Sequence, residues 1–267
     1  MAETSKLSEA RAALAVISAR TSGLVASLPD TSMVIPGSAW TVREAAVHLT
    51  LIGFHYAEMA QGGLNQHLYL LPEDCAHHND EFNADIPESD PGALAELMRE
   101  GTDCLLAVSA LCDDDASVAL HGGGVLAMAH VIAAALAEHL LHGYDIAVAA
   151  HRPWPIDPSH AVMGSHGYRS SYPLRLNPVT TRAHTASYGV ELISGDRFTV
   201  RFTDGQCRLE PPDTGRVDCA ITADPVAFLL VESGRMCQWA AIALGLIRAC
   251  GERPELAAGF TDLFLFP

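Results

Sequence analysis

Residues 125–150 read VLAMAHVIAAALAEHLLHGYDIAVAA. The run is long and apolar enough for a helix that other helices enclose, yet its second half holds Glu138, His139, His142 and Asp145. Side chains four residues apart on a helix lie one above the other, so Glu138 and His142 point the same way. Such i, i+4 pairs are common on exposed helix faces. In an otherwise apolar helix the carboxylate needs a partner, because an unpaired buried charge is costly. A cation shared between a carboxylate oxygen and an imidazole nitrogen would supply one, and His139 falls off that face.

Three more helices are expected upstream. Leu7, Ala10, Leu14, Ile17, Leu24 and Leu28 recur at three- and four-residue steps before Pro29-Asp30, the pattern of an amphipathic helix. Thr41 with Glu44 three residues later forms a capping box that starts a second helix, running through His48 to about residue 59 and ending near Gly62-Gly63. Asp90-Pro91 reads as an N-cap followed by a first-turn proline, starting a third helix that ends near Leu111. After Asp113, Asp114 and Asp115 and the turn at Gly122-Gly123-Gly124 comes the fourth, over about 125–150. Four such helices predict a bundle. The polar stretch 64–90, with Cys75 and His77-His78, predicts a loop long enough to line or cover something.

If Ala45, Leu49 and Ile52 face the core, His48 also points inward. One helix giving His48 and another giving Glu138 and His142 makes a three-ligand site with an open position, the arrangement of catalytic zinc. Two nitrogens and one oxygen suit Zn²⁺, and equally admit Ni²⁺, Co²⁺ or Fe²⁺. His55 and His130, each two turns from one of these residues, are alternative ligands.

Past Ala150 the pattern changes. Pro153, Pro155, Pro158, Pro173 and Pro178 fit a connector over 153–183 with one short helix. Short alternating runs at 185–193, 197–202, 207–210 and 218–222, split by Ser194-Gly195-Asp196 and Asp204-Gly205, predict strands and hairpin turns. Asp224-Pro225 starts a helix to Glu232, and 238–250 reads as a further helix closed by Gly251. The expected fold class is α+β: a four-helix bundle over 1–152, the connector, and a smaller α+β domain with an antiparallel sheet over 184–267.

Thirty-two acidic against 16 basic residues give a net charge of −16, which argues against a nucleic-acid partner, since that affinity rests on Lys and Arg releasing counterions. The N-terminus lacks the apolar core of a secretory signal, and the most apolar window, 127–141, falls short of a bilayer span and contains His130, Glu138 and His139. A cytoplasmic protein with no membrane partner, monomeric or homodimeric, is expected. The seven cysteines are scattered and odd in number, which predicts free buried thiols in a reducing compartment.

Three stretches together resemble the mycothiol-dependent maleylpyruvate isomerase family. They are Trp40-Thr41-Val42-Arg43-Glu44 followed by His48; Glu138-His139-Leu140-Leu141-His142-Gly143-Tyr144-Asp145-Ile146; and Asp224-Pro225 with Gly234-Arg235. The resemblance spans nearly the whole chain and implies a DinB-like bundle with zinc on His48, Glu138 and His142. It also implies mycothiol as cosubstrate, Asp145 and Tyr144 beside the thiol, and Arg235 near an anionic substrate. A zinc-activated thiol reacts as thiolate, so no protein cysteine is required. The long 64–90 stretch and the extended end after Arg235, which resembles a sterol-carrier domain, depart from the isomerase pattern. They favour a thiol S-transferase or thiol-exchange enzyme acting on a small electrophile. A cis–trans isomerase of the maleylpyruvate type, a thiol-independent hydrolase, and a non-catalytic ligand-binding module with structural or no metal are the competing readings.

Overall fold

Helix starts in this chain are written in its caps. In the computed structural model, which describes residues 6–63, 79, 81, 83–84, 86–113, 115–119, 124–213 and 215–265, four helices begin at a side-chain cap. Thr41 and Glu44 close the capping box of α2 (Val42–Ala60), with Thr41 N donating to Glu44 Oε2 at 2.6 Å. Asp90, Asp157 and Asp224 each accept from a first-turn amide, at 2.8–2.9 Å, and each is followed by proline. These open α3 (Pro91–Ser109), α5 (Pro158–Ser170) and α6 (Pro225–Glu232).

The chain divides into two units, Met1–Pro155 and Ile156–Pro267. In the first, α1 (Lys6–Ala26) packs on α3 and on α4 (Met128–Ala149), and α2 packs on α3 and α4. Gly53 and Gly101 let α2 and α3 approach closely: a Cβ on Gly53 would sit 2.3 Å from the Gly101 carbonyl carbon. A short hairpin, β1 (Ser117–Ala119) with β2 (Val125–Ala127), takes the first residues of the run expected to be helical, so α4 starts three residues later. By length and composition α4 could cross a membrane, more than the 127–141 window predicts, but 67% of its most apolar window is buried inside the protein. It is the core helix of the bundle.

The second unit carries a five-stranded sheet in the order β5-β4-β3-β6-β7, with β3 (Ala186–Leu192), β4 (Arg197–Thr203), β5 (Gln206–Glu210), β6 (Cys219–Ala223) and β7 (Ile247–Gly251). Three of its ladders are antiparallel, while β3 and β6 run parallel. α5 packs on α6, and Tyr172, Tyr188, Phe202, Phe260 and Phe264 interlock in the core beneath the sheet. The stretch 153–183 thus contains a three-turn helix integrated into the second unit.

One helix expected from the sequence is corrected. Over 238–250, only Gln238–Ala243 is helical (α7). Gly245, at φ +71°, turns the chain out of the helix, and the following Ile-Arg-Ala-Cys-Gly pairs with the free edge of β6. Edge pairing outweighs the modest helix propensity of that run.

Candidate metal centre

α2 and α4 bring His48, Glu138 and His142 together. Glu138 Oε2 lies 3.5 Å from His48 Nε2 and 3.3 Å from His142 Nε2. These three side chains form the one group of three or more His, Cys, Asp or Glu among the described residues whose donor atoms all lie within 4.8 Å. Their side chains are 12–14% exposed, so the cluster is sheltered but reachable. Bonds of about 2.1 Å to a tetrahedral ion place its ligand atoms about 3.4 Å apart. The two measured separations bracket that spacing, and the donor set of two imidazoles and one carboxylate is the right chemistry.

Burial by itself would raise the Glu138 pKa, but the hydrogen bonds and charges of His142 and His48 outweigh it and hold the carboxyl well below the usual range. Glu138 is therefore an anion, as a ligand must be. Asp145 Oδ2 lies 3.1 Å from His142 Nδ1. Its charge favours a proton on Nδ1, so Nε2, the nitrogen that faces Glu138, is the one that would turn to an ion if one displaced its hydrogen bond to the carboxylate. Tyr144 is half-buried on the same helix.

The other histidines separate from this cluster. His130 is exposed and His55 half-buried, and neither joins the three-ligand group. His139, which falls off the ligand face, is 99% buried. Its Nε2 lies 3.3 Å from Thr102 Oγ1, which in turn pairs with Ser18 Oγ at 2.8 Å. Desolvation, helped by the charge of His142, pushes its pKa down to about 3, so it is a neutral core residue that ties α4 to α3 and α1. His77, His78 and Cys75 lie outside the described residues.

Arg235 lies in the second unit, just after α6. Its amide donates to Leu230 O at 2.7 Å and its Nη1 to Ser233 O at 3.1 Å. The cysteines differ from the expectation of buried thiols: Cys207 and Cys219 are buried, Cys104 and Cys112 half-buried, and Cys237 and Cys250 exposed, all six free. Burial pushes the thiols of Cys207 up to about 12 and Cys219 up to about 11.

Two features of the site escaped the sequence reading. The Trp40 indole packs beside both imidazoles, its ring centroid 5.1 Å from His48 and 5.7 Å from His142. The signal was present, since a large apolar residue directly before an N-cap commonly fixes the entry of the chain. Gly143, next to His142, makes room for Trp154: a Cβ there would meet Trp154 Cζ2 at 2.3 Å. Trp154 Nε1 donates to Leu140 O at 3.0 Å, and the Arg20 guanidinium lies 3.7 Å above the indole.

No family model matches the chain, and no curated protein matches it. Among solved structures it is similar to the mycothiol-dependent maleylpyruvate isomerase, with TM-score 0.53 and 14% identity over 95% of this chain and 98% of that one. A mutant of that isomerase gives TM-score 0.54 and 15% identity over the same shares. A UbiJ-SCP2 ubiquinone synthesis protein aligns with 42% of this chain at TM-score 0.30 and 17% identity, too slight a likeness to carry an argument. The likeness to the isomerase establishes a shared fold, a helical bundle followed by a smaller α+β unit.

Proposed function

We propose that the protein is a metal-dependent thiol S-transferase or thiol-exchange enzyme that directs a low-molecular-weight thiol, mycothiol, at a small electrophile. The observation that carries this reading is the spacing of His48, Glu138 and His142. Three protein donors within 4.8 Å of one another, with Glu138 3.3–3.5 Å from each imidazole, would leave one position of a tetrahedral ion for an exogenous atom. Zinc, or another divalent transition metal, suits the donors. A divalent metal held by His48, Glu138 and His142 would lower the pKa of a bound thiol towards neutral pH.

The residues of the chain supply the rest. Asp145 fixes the tautomer of His142, and with Tyr144 it borders the place where the thiol would enter. Arg235, in the second unit, offers a guanidinium of the kind that forks onto a carboxylate. The thiol proton leaves to solvent, sulfur bonds to the electrophilic carbon, and the displaced group departs with its electron pair. We place the enzyme in the cytoplasm, as a monomer or homodimer.

A second reading draws on the fold shared with the maleylpyruvate isomerase. There the sulfur would add to a double bond, allow rotation about the resulting single bond, and leave again. The test is metal analysis of untagged protein, then turnover on a panel of electrophiles that includes maleylpyruvate, with and without mycothiol. The expected result is about one equivalent of metal and a rate that requires the thiol. Metal-free protein that takes none up on dialysis overturns both readings, and a rate indifferent to thiol points instead to hydrolysis.

A further inference from the structure

We propose that Trp40 is a positioning residue for the metal ligands, fixing the ring planes of His48 and His142 so that both Nε2 atoms face Glu138 before an ion arrives. This rests on the metal reading above. His48 and His142 come from different helices, and the Trp40 indole touches both rings. It stacks on His142 at an interplanar angle of 28° and leans on His48 at 51°, while the two imidazoles meet edge-on, 5.0 Å apart at 72°. The outer torsion of an imidazole is broad and roughly two-fold, so the rings need an outside restraint to hold one orientation. Asp145 restrains His142 alone. Trp40 restrains the pair.

The main chain that carries the indole is itself held in place. Ile35 N donates to Trp40 O at 2.9 Å, Trp40 N donates to Ser38 Oγ at 3.1 Å, and Val34 bridges to Thr41. Thr41 is the capped start of α2, the helix that carries His48. Trp40 also packs against the bundle core that includes Val25, Leu28, Ile35 and Val42. The turn, the cap and the core therefore fix the ring, and the ring fixes the ligands. Groups that orient ligands from just outside a metal site are worth about 10–100-fold in metal affinity.

The experiment compares full-length wild type, Trp40→Phe and Trp40→Leu. Zn²⁺ affinity is measured against a chromophoric chelator, the visible absorption bands of the Co²⁺ form are recorded, and folding is followed by circular dichroism. Trp40→Leu should bind Zn²⁺ about tenfold more weakly and show shifted Co²⁺ bands, while the aromatic Trp40→Phe stays near wild type. A merely structural Trp40 would lower the melting temperature and leave affinity and bands alone, and that result overturns the proposal. If Trp40→Leu does not fold, a Trp154→Phe/Trp239→Phe protein, in which Trp40 is the sole indole, is titrated with Co²⁺. Quenching that saturates at one equivalent is expected, and unquenched emission with Co²⁺ bound overturns the assignment. A wild type that binds neither ion refutes the metal reading itself, whereas a wild type that binds, with an unaltered Trp40→Leu, refutes only the role of Trp40.

Discussion

The Nδ1 atom of His142 lies 3.1 Å from Oδ2 of Asp145, three residues further along α4. The same ring turns its Nε2 to Glu138, 3.3 Å away. In the proposed metal site the two nitrogens would have different tasks, one to be oriented by Asp145 and one to ligate. Asp145→Asn removes the charge that keeps the proton on Nδ1 while nearly preserving shape. Zn²⁺ affinity should fall about 10–100-fold, read by chelator competition, with little change in the melting temperature of the metal-free protein. An unchanged affinity would show that Asp145 does not tune the ligand.

Gly143 has no room for a side chain, because a Cβ would stand 2.3 Å from Trp154 Cζ2. Gly143→Ala must push the indole off α4, where it donates to Leu140 O and carries Arg20 on its face. Overpacking of this kind costs about 1–3 kcal/mol, measurable by urea unfolding. The cost should largely vanish in a Trp154→Ala background, since substitutions acting through one contact are not additive. Equal costs in both backgrounds would locate the strain elsewhere.

The caps explain why most of the fold was legible in the sequence. Thr41 with Glu44, Asp90-Pro91 and Asp224-Pro225 announce helices that begin where expected, because a cap is a local device whose partners lie within four residues. Asp157-Pro158 carries the same signal, yet among so many prolines it reads as connector. β7 could not be read at all from 238–250, since what makes it a strand is the edge of β6, distant in sequence. The site divides the same way. Glu138 and His142 are one turn apart and visible at once, while the packing of Trp40 on both imidazoles depends on two helices meeting.

Glu232 gives the second unit a pH dependence. Burial raises its pKa to about 7, against the lowering effects of the Tyr172 hydrogen bond and of Arg169 and Arg175, starting from 4.5 in water. The Tyr172 hydroxyl, whose own pKa is raised by burial and by the charge of Glu232, stays protonated and donates to it. Between pH 4.5 and 7 the folded protein keeps a proton that the unfolded chain has released, so stability falls as pH rises through that window and levels off above it. Glu232→Gln cannot ionise. Relative to wild type it should gain stability from pH 5 to pH 8, by at most about 3 kcal/mol, seen as a flatter plot of melting temperature against pH. Parallel plots for the two proteins would mean that Glu232 is ionised in the fold throughout.

Metal binding should stabilise the first unit, because the donors of His48, Glu138 and His142 come from two helices that separate on unfolding. An ion present at a hundred times its dissociation constant adds about 2.7 kcal/mol to the folded state. For a unit of this size that corresponds to a rise in melting temperature of about 5–10 °C. Zn²⁺ added to chelator-stripped protein should produce that rise, and dialysis against chelator should reverse it. His48→Ala leaves one helix without a ligand, so it should abolish most of the Zn²⁺-dependent shift, measured from its own metal-free melting temperature. A full Zn²⁺-dependent shift in His48→Ala would place the ion on other residues, and His55 or His130 would then have to be tested as the missing ligand.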